Sequence, residues 1–410
     1  MRKGYAKQIN ILSIFFILVL SILSLSNTAC LSHSIEPLDN TSNKMDFNMM
    51  GGYNGTIVLH HGELDGLSDL PSYFSWRDMD GIDYTTSIKN ALPCFSCEIY
   101  ATIPAVETLV QYEVGYPFGC DLSEAHLLFY SGGVWDYSVN ISDALDYLVE
   151  RGVPDEGCFP DPHRRENQPL DSLPGWENRT VKIQEWGFVE NDEIEIKKAL
   201  IEHGPLVMII NVYKDLLYHR GGIYRHRWGK LAGGHCVTIV GYDDSQQCWF
   251  VENHWGTDWG ESGWFRMAYD PDIVMPYYGG TGIYYIDGVY GNLMPDAPRV
   301  YIDEPKESCY YILGREFPSR LFKLIKLYYL FPKYYAGEAL PIVIGTTMVK
   351  VNAINANKIE FYLDEELQFT DENRPFEWEL DATIGRHTLE VMAYNDNGNA
   401  SKAIKDFVSI

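Results

Sequence analysis

The apolar positions change their period partway along the chain. From Cys97 to Val114, residues Ile99, Ile103, Val106, Val110 and Val114 fall near one face at helical spacing. That predicts a helix, and Pro104 inside it should kink it. Ser142 to Arg151 predicts a second helix, with Ser142 as N-cap and Gly152 and Pro154 as the stop. Asn191 to His203 predicts a third, ended by Gly204-Pro205. Strands follow. Leu206 to Val212 is a largely apolar run, and Cys236 to Val240 and Cys248 to Val251 flank a Gly-Tyr-Asp-Asp turn as a hairpin. Helices first and strands second predict an α+β layout with two lobes.

After residue 292 the pattern changes again. Ile359, Phe361 and Leu363 alternate, as do Phe376, Trp378 and Leu380, and then Leu389, Val391 and Ala393. Short alternating strands at regular spacing predict an all-β, immunoglobulin-like sandwich over 293–410. Its first strand is expected at Arg299 to Ile302, with an irregular aromatic stretch, 305–340, before the next.

The N-terminus has a different character. Arg2, Lys3 and Lys7 precede the apolar run Ile11 to Leu25, and small and polar residues follow to Ala29. This is the order of a secretory signal, so 1–30 is expected to be a signal peptide or an N-terminal anchor. Residues 31–69, polar and Gly-rich, are expected to be a short leader or pro-segment, and 70–292 the α+β domain. Export predicts a secreted or cell-surface protein in which disulfides are permitted. The chain associates with the surface, on this reading, through the signal/anchor or the C-terminal domain.

Composition narrows the partners. The formal net charge is -25, with an isoelectric point near 4.7. Such a surface repels phosphate backbones, so nucleic acid is excluded as a partner, and the charge reads chiefly as a solubilising face. The sequence has no Cys/His spacing of the zinc-site kind and no loop of the EF-hand kind, so no metal is expected. His60, His61, His219 and His226 are read as solvated, and Trp259 and Trp264 as core.

Three segments carry chemistry: Lys89 to Ala101, Gly233 to Tyr242, and Glu252 to Trp264. Cys97 opens the first predicted helix, where free N–H groups and the helix dipole favour a thiolate. A thiolate nucleophile needs a group that takes and returns a proton, which an imidazole near neutral pH does, so His235 is the expected base and then acid. The ring needs a fixed orientation, which the Asn253 amide can supply. The order Cys, His, Asn and its spacing fit a cysteine nucleophile near the mature N-terminus.

These segments resemble the papain and cathepsin family of cysteine peptidases over about residues 70–290. Leu70 to Arg77 resembles that family's mature start, Ser87 to Asn90 and Cys94 to Cys97 its nucleophile segment, Leu122-Ser123-Glu124 with Gly132-Gly133 its next block, and Tyr218 to Tyr224 another. Asn253 to Glu261 is the most specific match. The resemblance implies a two-lobed papain-like fold and hydrolysis of peptide or protein substrates through a thioester on Cys97, without a cofactor. It also implies that Gly132 and Gly133 bind the substrate backbone, that Ile209 and Ile286 line an apolar pocket, and that Trp255 shields the Asn–His hydrogen bond.

Four positions depart from the family pattern. Ala91 stands where the family has an oxyanion-binding Gln, Glu98 where it has Trp, His254 where it has Ser, and Tyr130 where it has Cys. Ala91 and Glu98 motivate an alternative: a catalytically weak or inactive papain fold that binds peptides or serves in adhesion. Cys94 is expected to pair with Cys120 or Cys158. Cys94-x-x-Cys97 also has the spacing of a redox pair, which the surrounding segments explain less well.

Overall fold

The structure is a computed structural model that describes residues 70–91, 96–134, 139–160, 173–276, 280–291, 297–306, 309–318 and 340–410. The expected signal or anchor and the expected leader lie outside them. Among the described residues, no helix is long and apolar enough to cross a membrane.

Among the described residues, the N-terminal part has four α-helices, α1 (Cys97–Val114), α2 (Glu124–Tyr130), α3 (Ile141–Glu150) and α4 (Glu193–Glu202). Among them it also has nine strands: β1 (Tyr73–Ser75), β2 (Val153–Pro154), β3 (Thr180–Phe188), β4 (Leu206–Tyr213), β5 (Ile223–Tyr224), β6 (Leu231–Asp243), β7 (Cys248–Glu252), β8 (Trp264–Ala268) and β9 (Ile283–Gly291). These form one sheet in the order β2-β3-β9-β4-β6-β7-β8-β5, with β1 also paired to β6.

Helix α1 is buried on every side from Ile99 to Gln111, not only along the expected apolar face. It packs against α2 and α3 on one side and β6 and β9 on the other, which removes any solvent face. The helix runs through Pro104 as one element and ends where Gly115, at φ 85°, donates its N–H to the carbonyls of Gln111 and Tyr112. The α3 cap also differs from expectation. Asn140 Oδ1 accepts the Ser142 N–H at 3.1 Å, so Asn140 is the cap and Ser142 lies within the first turn. Asp192 caps α4 in the same way, through the N–H groups of Ile194 and Glu195.

Strand β4 divides two cores by simple alternation. Val207 and Ile209 face a core built from α1 to α3, with Leu109, Leu127 and Leu145. Met208 and Ile210 face a second core with Ile196, Leu200, Val237 and Phe265. Strand β6 repeats this one register step on, with Cys236 in the first core and Val237 in the second. The Thr238 hydroxyl donates to the Ala101 carbonyl at 2.7 Å and pins β6 to α1.

The C-terminal region is all β: β10 (Arg299–Glu304), β11 (Cys309–Ile312), β12 (Arg315–Pro318), β13 (Ile342–Ile344), β14 (Thr347–Ile354), β15 (Lys358–Leu363), β16 (Glu366–Asp371), β17 (Phe376–Leu380), β18 (Gly385–Tyr394) and β19 (Ala400–Ser409). One sheet has the order β10-β14-β17 and the other β12-β11-β13-β19-β18-β15-β16. Val300, Val349 and Phe376 of the first meet Phe361, Val391 and Phe407 of the second in a shared core. The stretch expected to be irregular contains the hairpin β11–β12, and β13 pairs in parallel with both β11 and β19.

The β region touches the N-terminal part through a buried guanidinium. Arg179 binds Asp155 with two hydrogen bonds, of 2.8 and 2.6 Å, and donates to the Ser401 hydroxyl at 3.0 Å and to the Ala400 carbonyl. The Lys402 N–H donates to the Gly157 carbonyl at 2.8 Å. A Cβ at position 157 would come within 2.7 Å of the Ser401 side chain, so the approach requires glycine. A cavity of about 380 Å³ lies alongside, lined among others by Lys89, Asp121, Arg299 and Lys405.

Candidate active site

Helix α1 places Cys97 half-buried at its first position, at the positive end of the helix dipole. The β6–β7 hairpin supplies the next two groups. Its register pairs Thr238 with Glu252, and Asn253 follows directly after β7, close enough for its side chain to reach His235. His235 Nε2 lies 2.9 Å from Asn253 Oδ1, and both residues are buried. The same Oδ1 accepts the His254 N–H at 2.9 Å, which fixes the amide with its oxygen toward the ring. Nε2 is therefore the ring donor, and Nδ1 is left for other work.

Trp255 stacks on the His235 ring, with centroids 4.6 Å apart at 30°, and Trp259 meets Trp255 edge-on at 5.0 Å. Trp255 thus lies against one face of the imidazole. Trp259 is core, as expected; Trp264 is only partly buried and carries the Arg77 guanidinium 4.0 Å from its ring centroid.

The electrostatics favour a charged sulfur. A hydrogen bond from the Cys236 thiol is the largest influence holding Cys97 well below the ordinary thiol range; burial opposes it, and the hydrogen bond and positive charge of His235 add to it. The Cys236 thiol is correspondingly pushed up, by donating to Cys97 and by burial. Glu98 works the other way, because its Oε2 lies 3.5 Å from Cys97 Sγ and accepts the S–H of the neutral thiol. His254 is buried beside His235, with ring centroids 4.7 Å apart, and burial followed by the His235 charge holds it neutral.

The segment Lys89 to Ala91 runs alongside the site. The Ala91 N–H donates to the His254 carbonyl at 2.9 Å, and the Gly256 N–H to the Lys89 carbonyl at 3.1 Å. Ala91 is buried and offers no side-chain donor. Lys89 is anchored below by Asp121 and, at 3.4 Å, by Glu124. Burial works against its charge, but Asp121, Glu124 and Glu107 outweigh burial and raise its pKa.

The expected substrate-binding residues are distributed unevenly. Gly132 is exposed at φ +100° with open space around it, a conformation that favours glycine. Gly133 is buried and bonded through its N–H to the Leu128 carbonyl at 2.8 Å. Ile209 pairs with Cys236 across the β4–β6 ladder and packs in the same core as Cys97 and Met275. Ile286 is fully enclosed in that core.

Cys94, and with it the expected disulfide to Cys120 or Cys158, lies outside the described residues; Cys120 and Cys158 are both buried. Cys158 is packed against Asp155 and its thiol is pushed up to about 12, chiefly by burial. His219 is half-buried, against the expectation of a solvated ring, whereas His226 is exposed, as expected. His219 packs among Tyr224, Trp259 and Phe265, and His226 stacks on Tyr213 and pairs with Asp215 at 3.2 Å. His60 and His61 lie outside the described residues. Tyr130 joins His126, Phe159 and Trp176 in an aromatic cluster, where burial lowers the His126 pKa to about 3. Sequence reasoning missed Cys236, although a second thiol directly after His235 was a visible signal.

Known proteins resemble this chain over the region that holds the site. Residues 70–276 match the family model described as papain family cysteine protease. The Cathepsin B-like CP2 of Giardia intestinalis is 47% identical over 230 residues, covering 50% of this chain and 71% of the relative. The Cathepsin B-like CP3 of the same organism is 29% identical over 216 residues, covering 46% and 68%. Among solved structures, proCathepsin B S9 from Trypanosoma congolense aligns with a TM-score of 0.47 and 21% identity, over 57% of this chain and 82% of that one. The chain belongs to the papain family of cysteine proteases, with a papain-like fold in its N-terminal part.

Proposed function

We propose that this protein hydrolyses peptide bonds with Cys97 as nucleophile, His235 as base and then acid, and Asn253 as the residue that orients the ring. The observation that carries the reading is the 2.9 Å His235–Asn253 hydrogen bond, on a ring whose charge helps lower the Cys97 thiol. The thiolate attacks the scissile carbonyl carbon, and the oxyanion that forms accepts the Cys97 backbone N–H. Collapse expels the amine, which takes its proton from His235 and leaves a thioester. Water, deprotonated by His235, attacks the thioester and regenerates the thiolate. Trp255 keeps solvent from the His235–Asn253 bond, Gly132 and Gly133 hold the substrate backbone, and Ile209 borders the apolar side-chain pocket. The chemistry calls for no cofactor.

The C-terminal region is, on this reading, an immunoglobulin-like sandwich, supported by its two antiparallel-dominated sheets around one core. The N-terminal sequence supports a secreted or cell-surface location. Ala91 favours a second reading, a weak or inactive enzyme that binds peptides, because it offers no side-chain donor to an oxyanion. Peptide hydrolysis by the purified protein and by Cys97→Ser separates the two. Turnover lost in the variant supports the peptidase; peptide binding without turnover in either protein supports the second reading.

A further inference from the structure

The site contains two groups, Cys236 and Glu98, that take no step in peptide hydrolysis and that form a ligand set with Cys97. Cys97 Sγ, Cys236 Sγ and a Glu98 carboxylate oxygen all lie within 4.8 Å of one another, two of them half-buried and Cys236 buried. A tetrahedral zinc ion with Zn–S of about 2.3 Å and Zn–O of about 2.1 Å needs its ligand atoms about 3.6–3.8 Å apart. The Cys97–Glu98 pair, at 3.5 Å, has that spacing already. Helix α1 presents Cys97 and Glu98 as neighbours, and β6 brings Cys236 from far along the chain. That separation is why no zinc-like spacing is visible in the sequence.

We propose that Cys97, Cys236 and Glu98 bind one Zn²⁺ ion, which holds the nucleophile reversibly inactive. Two thiolates and a carboxylate suit a borderline-soft, tetrahedral cation and disfavour Mg²⁺ or Ca²⁺, which take oxygen ligands. Binding forms two Zn–S bonds and one Zn–O bond; the Cys236 thiol proton, and that of Cys97 where present, passes to solvent, and no oxidant or reductant takes part. The fourth position is left to water on the half-exposed side of Cys97 and Glu98, through which the ion enters. The inhibitory consequence rests on Cys97 being the nucleophile, but the binding itself does not.

The test uses the full chain and the metal alone. Zn²⁺ binding is measured by calorimetry, and Co²⁺ binding by the absorption of cobalt–thiolate charge transfer, for the wild-type protein, Cys236→Ala, Cys236→Ser and Glu98→Gln. We expect one ion per chain, thiolate absorption in the wild-type protein that weakens in both Cys236 variants, and Zn²⁺ affinity at least ~10-fold weaker in all three variants. Either Cys236 variant suffices if the other fails to fold. Zn²⁺ should also abolish alkylation of Cys97 at concentrations that saturate the calorimetric site. Equal affinity in the wild-type protein and the Cys236 variants, or no thiolate absorption, would overturn the proposal. Because metal binding is read without substrate, a folded protein lacking peptidase activity leaves this result independent.

Discussion

His235 Nε2 and Asn253 Oδ1 lie 2.9 Å apart, and the amide oxygen is held in place by a second donor, the His254 N–H. The pairing decides which ring nitrogen carries a fixed proton, so the other can serve Cys97. Asn253→Ala removes that restraint while leaving the nucleophile and base present. We expect kcat/KM for peptide hydrolysis to fall by ~10²-fold, the usual result of a misplaced reacting group. The pH–rate profile should change with it. An unchanged profile and rate would show that Trp255 alone fixes the ring.

Cys236 and Glu98 pull the Cys97 thiol in opposite directions. The Cys236 S–H donates to the thiolate and stabilises the charged form; Glu98 accepts from the neutral thiol and repels the charge. Cys236→Ala should therefore move the alkylation curve of Cys97 to higher pH, and Glu98→Gln should move it to lower pH. The rate of Cys97 alkylation against pH, in metal-free buffer, checks both. Shifts of the same sign in the two variants would contradict the argument.

Ala91 puts no side-chain donor beside the site. Its backbone already pairs with the His254 carbonyl at 2.9 Å, so a glutamine there keeps the same backbone bond and adds an amide next to the site. Ala91→Gln should raise kcat/KM by up to ~10²-fold, what one oxyanion donor supplies. No gain would mean that another group already fills the role or that the buried position cannot direct the longer side chain into the cleft.

Much of this site was legible because its signals are local. Cys97 lay at the start of a helical pattern, and the hairpin that sets His235 beside Asn253 was visible as two apolar runs around a turn. What failed depended on packing between distant segments. The pattern in α1 showed one apolar face, but enclosure by helices on one side and strands on the other buries its polar Thr102, Glu107 and Gln111 as well. The α3 cap moved from Ser142 to Asn140 because the amide oxygen reaches the N–H two residues on. Cys236 was visible beside His235 in the sequence, but its approach to Cys97 exists only once β6 is laid against α1.

Glu252 gives the fold a pH dependence. It is fully buried, and burial pushes its carboxyl up to about 8, with Arg77 only partly opposing. The unfolded chain ionises this group near the ordinary glutamate value of about 4.3. Its neutral form therefore supports the fold fully at low pH, and that support is lost as pH rises through the window up to about 8. Within that window the loss approaches about 1.4 kcal/mol per pH unit for this group. Glu252→Gln should flatten the slope, as measured by denaturant unfolding of both proteins from pH 5 to pH 8. A variant with the wild-type slope would place the pH dependence elsewhere.

An electrophilic cysteine-peptidase probe reads whether Cys97 is an activated nucleophile. The probe is added to the folded, metal-free protein, and the labelled peptide is located by mass spectrometry. We expect a single modified residue, Cys97, with labelling abolished in Cys97→Ser and slowed in His235→Ala. Labelling of a different cysteine, or none on folded protein, would contradict the account.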